Sequence, residues 1–200
     1  MIWIRTIEYA DSTGRLRQLY DRVKGPDDNV DNIMMAHSLR PHSMEGHMAL
    51  YKNVLHHSGN RTPKWFLEVV GVWVSLLNRC SYCVDHHSAG LRRLLSDDGR
   101  YRTIADALRA GEPARAFDGK ELAMLQYARS LTVTPAALDA AAIDALRAAG
   151  AEDGEILEIN QVTAYFAYAN RTVLGLGVDI DGDILGLSPG SDDPGNWSHG

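Results

Sequence analysis

Cysteine is scarce in this chain, with two residues in 200, Cys80 and Cys83. That count excludes the disulfide-stapled scaffold of a small secreted protein. Basic charge is short as well. Twenty Lys and Arg stand against 26 Asp and Glu, a formal net charge of −6. No basic footprint for nucleic acid or an anionic membrane is present, so neither is expected as a partner. The longest apolar stretch, Phe66 to Leu77, is interrupted by Glu68 and falls short of the ~18 residues a membrane span needs. The opening Met1-Ile2-Trp3-Ile4-Arg5 turns charged after four apolar positions, too soon for the core of a secretory signal. The N-x-S/T triplets at Asn60, Asn170 and Asn196 are therefore read as accidental, and a soluble cytoplasmic protein is the expectation.

Several ligand motifs are missing too. Gly175-x-Gly177 lacks a third glycine and follows a helical pattern, so no dinucleotide fingerprint survives. Asp179, Asp181 and Asp183 imitate the start of a calcium loop. Its glycine falls at 182, however, and Gly190 occupies the place of the closing glutamate. That acidic cluster is read as a solvated turn, and no cofactor is expected.

What is present is helical periodicity in a composition of ordinary globular kind, 45% hydrophobic and 23% charged. Leu16, Leu19, Tyr20 and Val23 make one apolar stripe, ended by Gly25-Pro26. A short helix is expected from Ile33 to Ser38 and another from Pro41 to about His57, stopped by Gly59. Lys64 to Asn78 is apolar nearly all round. Its valines would suit a strand, but a length of about fifteen residues favours a central buried helix. Further helices are expected from Cys80 to about Leu95, from Arg102 to Ala110 and from Leu122 to Leu131, the last behind an Asp118/Glu121 capping box. Thr134-Pro135 reads as the start of a helix ending at Gly150, and a last long helix reaches about Leu174. The fold class is all-α, with one helical domain over residues 1–178 and an extended or disordered tail over 179–200.

Most of the chemistry lies between Glu68 and His87. On one helix, positions 0, 3 and 7 share a face, so Cys80, Cys83 and His87 line one stripe, with Cys83 and His87 direct neighbours. An imidazole there can take a thiol proton and leave the attacking thiolate. Cys80 falls at a helix start, where the macrodipole favours the thiolate, and its polar neighbours Asn78, Arg79 and Ser81 point to exposure. A reversal near residues 77–79 would set Glu68 level with His87, since each lies about ten residues from the bend. Burial would then suit Glu68 to proton transfer. Three other readings stand beside this one: inert core cysteines, a zinc site on Cys80, Cys83, His87 and His86 or Glu68, and Glu68 as a salt-bridged core carboxyl. His37, His42, His47, His56 and His57 show no ligand spacing and are read as surface or capping residues.

The pattern E-x11-C-x2-C-x3-H over residues 68–87 resembles the signature of the AhpD-like alkyl hydroperoxidases, within the carboxymuconolactone decarboxylase superfamily. The string 74–87, with Ala164-Tyr165-Phe166, Asn170-Arg171 and Gly175-Leu176-Gly177-Val178, is similar to its peroxidase-related branch. The resemblance runs from about Asn32 to Val178. It implies an AhpD-like helical bundle, assembled as a trimer or hexamer, that reduces hydroperoxides. By the same resemblance Cys80 and Cys83 are the redox thiols and Glu68 and His87 the proton relay. An external dithiol, lipoyl-type or thioredoxin-like, restores the thiols. Tyr82 stands where the best-known hydroperoxidases have histidine. The superfamily's decarboxylases lack the cysteine pair, which argues against lactone decarboxylation. Thiol–disulfide exchange or redox sensing without fast peroxide turnover is the alternative reading.

Overall fold

The computed structural model describes residues 2–190 and 196–199. Nine α-helices occur among them and no strand, only an isolated bridge between Pro189 and His199. In order they are α1 (Gly14–Val23), α2 (Asn32–Met35), α3 (Pro41–His56), α4 (Lys64–Leu77), α5 (Ser81–Leu95), α6 (Asp98–Arg109), α7 (Gly119–Val133), α8 (Ala140–Ala148) and α9 (Asp153–Leu176). No helix among the described residues is long and apolar enough to cross a membrane.

The valine-rich stretch is a helix, α4, buried over the ten consecutive residues Phe66 to Ser75. It is the axle of the bundle. α5 and α9 flank it, with α3, α6 and α7 packed on the remaining sides. A helix surrounded in this way has no solvent face, hence its lack of an apolar/polar alternation. Gly71 lets α9 come close: a Cβ built there would meet the ring of Phe166 at 2.2 Å. On the α7 side the Trp73 indole donates to the Leu125 carbonyl at 3.0 Å, so a large ring is buried without an orphaned N–H.

Two helix starts differ from expectation. Thr134-Pro135 opens only a 3₁₀ turn, Pro135–Ala137, and the helix begins later, where the Asp139 carboxylate accepts from the Ala141 amide. A stronger cap downstream overrides the proline signal. Asp118 makes no side-chain cap on α7; the reciprocal capping box forms instead between Glu152 and Glu155 at the head of α9. α6 starts at Asp98, earlier than expected, because the Asp97 side chain accepts from the Arg100 amide.

The segment after 178, expected to extend or be disordered, lies against its own chain where it is described. The Asn32 side chain donates to the carbonyls of Asp179 and Asp181, and the Asn29 side chain to that of Gly182. Trp197 is buried beneath the Arg22 guanidinium, 3.8 Å from its ring. Residues 191–195 and 200, also within that tail, fall outside the described residues. The acidic turn is corrected as well. The Asp183 side chain is 1% exposed and accepts bonds from Asn32, Tyr82 and His86, so it is a buried tether, not a solvated residue.

Candidate active site

α4 and α5 form a tight antiparallel hairpin. Its bend is made by Arg79 in left-handed conformation (φ 58°) and closed by the Cys80 amide donating to the Ser75 carbonyl at 2.9 Å. This reversal brings Glu68, nine residues before the end of α4, beside His87 on α5, with Nδ1 to Oε2 at 2.7 Å. Glu68 is buried and His87 half-buried. A carboxylate accepts only, so an ionised Glu68 accepts a bond from the His87 Nδ1–H and leaves Nε2 as the basic nitrogen. The His87 ring is held from the side by Phe166, edge-on at 4.6 Å.

Cys80 takes the N-cap position of α5 and Cys83 sits one turn on. Both are free thiols, hydrogen-bonded sulfur to sulfur at 3.2 Å. The expected exposure of Cys80 is wrong: it is 0% exposed and Cys83 3%. Arg79 and Ser81 are exposed around the bend, Asn78 turns in to bond the buried Asn170, and the cysteine points into the core. The two sulfurs are not equivalent. The Cys83 thiol hydrogen bond, helped by the Cys83 amide and Asn170, holds the Cys80 thiol below the usual range against the opposing effect of burial. That same bond to Cys80, then burial and the Cys80 charge, push the Cys83 thiol well up. Of the two, Cys80 is the thiol that gives up its proton more readily.

Cys83, Glu68 and His87 line one cavity of about 50 Å³, whose walls include Asp31, Tyr51, Tyr82 and Tyr165. Cys80 lies behind Cys83 and does not line it. Among the described residues no group of three or more His, Cys, Asp or Glu side chains is arranged to hold a metal ion.

Several residues here were not picked out as candidates. Asn170 on α9 is fully buried; its Oδ1 accepts from Asn78, its amide donates to Ser75 Oγ, and it reaches both thiols. A polar residue one turn after Phe166 on the buried stripe of α9 was the available signal. The histidines are the larger correction. His37, His47 and His56 are buried, His47 and His199 line the cavity, and burial holds the His47 imidazole down at about 3. A neutral imidazole packs as an aromatic ring, and no spacing rule announces it. His47 accordingly stacks against His37, Tyr165 and Tyr168.

No family model matches the chain, and no curated protein matches it. Solved structures do. An uncharacterized peroxidase-related protein from Silicibacter sp. TM1040 is 26% identical with a TM-score of 0.66, over 75% of this chain and 76% of its own. The AhpD-core peroxidase-related protein from Ralstonia eutropha JMP134 is 23% identical with a TM-score of 0.74, over 89% and 91%. The debrominase Bmp8 shares the fold at 17% identity and a TM-score of 0.67, over 87% and 89%, and a variant of it was crystallised with 2,3,4-tribromopyrrole. The chain thus shares its helical fold with these peroxidase-related proteins, the AhpD-core protein among them.

Proposed function

We propose that the chain is a thiol-dependent hydroperoxide reductase, with Cys80 and Cys83 as redox thiols and Glu68 and His87 as the proton relay. One observation carries this reading: the bonded sulfur pair, 3.2 Å apart, and the bonded His87–Glu68 pair, 2.7 Å apart, meet at one cavity lined by Cys83, His87 and Glu68. His87 takes the Cys83 proton. The Cys83 thiolate attacks a peroxide oxygen, the S–O bond forms as the O–O bond breaks, and the alkoxide takes a proton from His87 to leave as alcohol or water. Cys83 is now a sulfenic acid. The Cys80 sulfur displaces its hydroxyl, the S–S bond forms as the S–O bond breaks, and the hydroxide takes the Cys80 thiol proton to leave as water. An external dithiol returns both sulfurs by exchange and is itself oxidised to a disulfide. Lipoyl-type and thioredoxin-like dithiols fit that role, and a reducing cytoplasm suits the free thiols. Assembly into a homo-oligomer belongs to the same proposal; the exposed Leu157, Tyr168 and Leu174 of α9 are the apolar surface it would cover.

Hydroperoxide consumption with a supplied dithiol tests the reading. The native chain is expected to exceed the Cys80→Ser/Cys83→Ser variant by ~10²-fold or more. Equal rates would refute it. With Cys80→Ser alone, a sulfenic acid should be trapped at Cys83 by dimedone after one equivalent of peroxide. A second reading, reductive removal of halogen from a small aromatic ring, takes its support from the debrominase fold neighbour. Bromide release from a bromopyrrole without peroxide consumption would favour it. Disulfide exchange with dithiols, with neither activity, would favour a redox sensor.

A further inference from the structure

The cavity over Cys83 is roofed by the chain's own C-terminal segment, with Gly186, Leu187 and Ser188 among its lining. The roof lies directly on α5. Gly186 has φ +81°, and a Cβ there would stand 2.9 Å from Ala89 and 3.0 Å from the Gly90 amide nitrogen. On the other side of that contact, a Cβ on Gly90 would come within 3.9 Å of the Glu68 carboxyl carbon. Roof, helix and relay glutamate are thus stacked in contact. Arg93 on α5 donates to Ser188 Oγ at 2.9 Å, fixing the far edge.

Asp183 fixes the near edge. Its buried carboxylate accepts the Asn32 amide at 3.0 Å and the Tyr82 hydroxyl at 2.7 Å, with His86 Nε2 at 3.1 Å. The Tyr82 phenol also receives the Ile33 amide at 3.2 Å, so α2, α5 and the roof meet at one point. Tyr82 lies between the two cysteines, which ties the roof to the redox turn itself. The space left beneath is about 50 Å³, against the ~10–15 Å³ that one enclosed water needs, which is room for a few waters.

We propose that the Asp183 latch makes this roof a size filter, so that the site takes hydrogen peroxide and the smallest alkyl hydroperoxides and excludes bulky organic ones. The substrate class rests on the hydroperoxide reading above; the closure rests on the roof's own contacts. The latch sets the limit, because its three donors tie the roof to both α2 and α5, each of which lines the cavity.

Two measurements keep the closure and the peroxidase reading apart. The first compares thiol modification by methyl methanethiosulfonate, which is small, and by dithiobis(nitrobenzoate), which is bulky, in the native chain, Asp183→Ala and Tyr82→Phe. The bulky-to-small rate ratio is expected to rise at least tenfold in Asp183→Ala, and in the same direction by less in Tyr82→Phe, which removes one hydroxyl and keeps the ring. The second compares hydrogen peroxide with cumene hydroperoxide as oxidant. The native chain is expected to favour hydrogen peroxide, and Asp183→Ala to shift the preference toward cumene hydroperoxide. An unchanged reagent ratio in both variants overturns the filter, as does a native chain that consumes both oxidants equally. If no oxidant is consumed, the hydroperoxide reading falls and takes the peroxide size limit with it, while the thiol reagents still judge the closure.

Discussion

Asn170 is the side chain through which the resting charge of the thiol pair is most open to test. Its amide reaches both sulfurs from α9 and is held in place by Ser75 and Asn78, so its donors cannot turn away when a thiolate forms. A hydrogen bond to a charged group contributes roughly 1.5–3 kcal/mol, or about one to two pKa units. Asn170→Ala is therefore expected to raise the apparent pKa of the lower-titrating thiol by about one unit, followed by thiolate absorbance at 240 nm against pH. No change would remove Asn170 from the site. Glu68→Gln should act elsewhere: it leaves that titration in place and slows peroxide consumption by ~10²-fold, since His87 loses its ionic partner and its fixed tautomer. At this scale the sequence was legible where spacing alone decides geometry. The distances of Glu68 and His87 from the bend are set by helical rise, and the structure joins them. It was not legible where direction decides. Cys80 follows polar residues, yet faces inward, because the left-handed Arg79 redirects the chain just before it.

Among the elements, α4 shows what its composition concealed. The valines of a strand and the absence of a polar face both follow from burial on all sides, and only length separates the alternatives. The α4–α9 contact depends on Gly71, where a Cβ would penetrate the Phe166 ring. Gly71→Ala is expected to destabilise by about 1–3 kcal/mol, the usual range for overpacking, and to lower the urea midpoint. Phe166→Leu added to it should recover part of the loss. Because Phe166 also braces the His87 ring, the single variant should lose activity beyond its loss of stability. Helix starts were less legible than helix cores. Thr-Pro is a local preference, whereas the carboxylate caps at Asp97 and Asp139 act on helices whose register is already fixed by packing.

For the molecule as a whole, the buried histidines predict an acid-sensitive fold. Burial is the leading cause holding His37, His47, His56 and His199 below the ordinary histidine range, to about 3 for His47. The unfolded chain takes up these protons near 6.5 and the folded chain does not. Their contribution is thus complete above about pH 6.5 and is lost as pH falls toward the folded values. Each adds a slope of up to ~1.4 kcal/mol per pH unit in that window. Asp31 works the other way: burial raises its carboxyl, so its contribution is present below the ordinary aspartate range and is lost as pH rises. Four histidines against one aspartate leave a net fall in stability from pH 7 to pH 5, measurable by urea denaturation. His47→Phe should flatten that slope by as much as one histidine's share; an unchanged slope would mean that His47 titrates normally. These histidines were illegible in the sequence because the four rings, two on α3, one after α2 and one in the tail, are enclosed only once the bundle has formed.

The burial of both cysteines has a kinetic consequence. Under the proposed chemistry a small oxidant diffuses in past a closed roof, but a dithiol carried on a larger molecule must wait for it to lift. Oxidation would then be governed by collision and recovery by an internal opening rate. The disulfide form becomes the one that accumulates during turnover, its lifetime written into the bonds around Asp183 and not into the concentration of reductant.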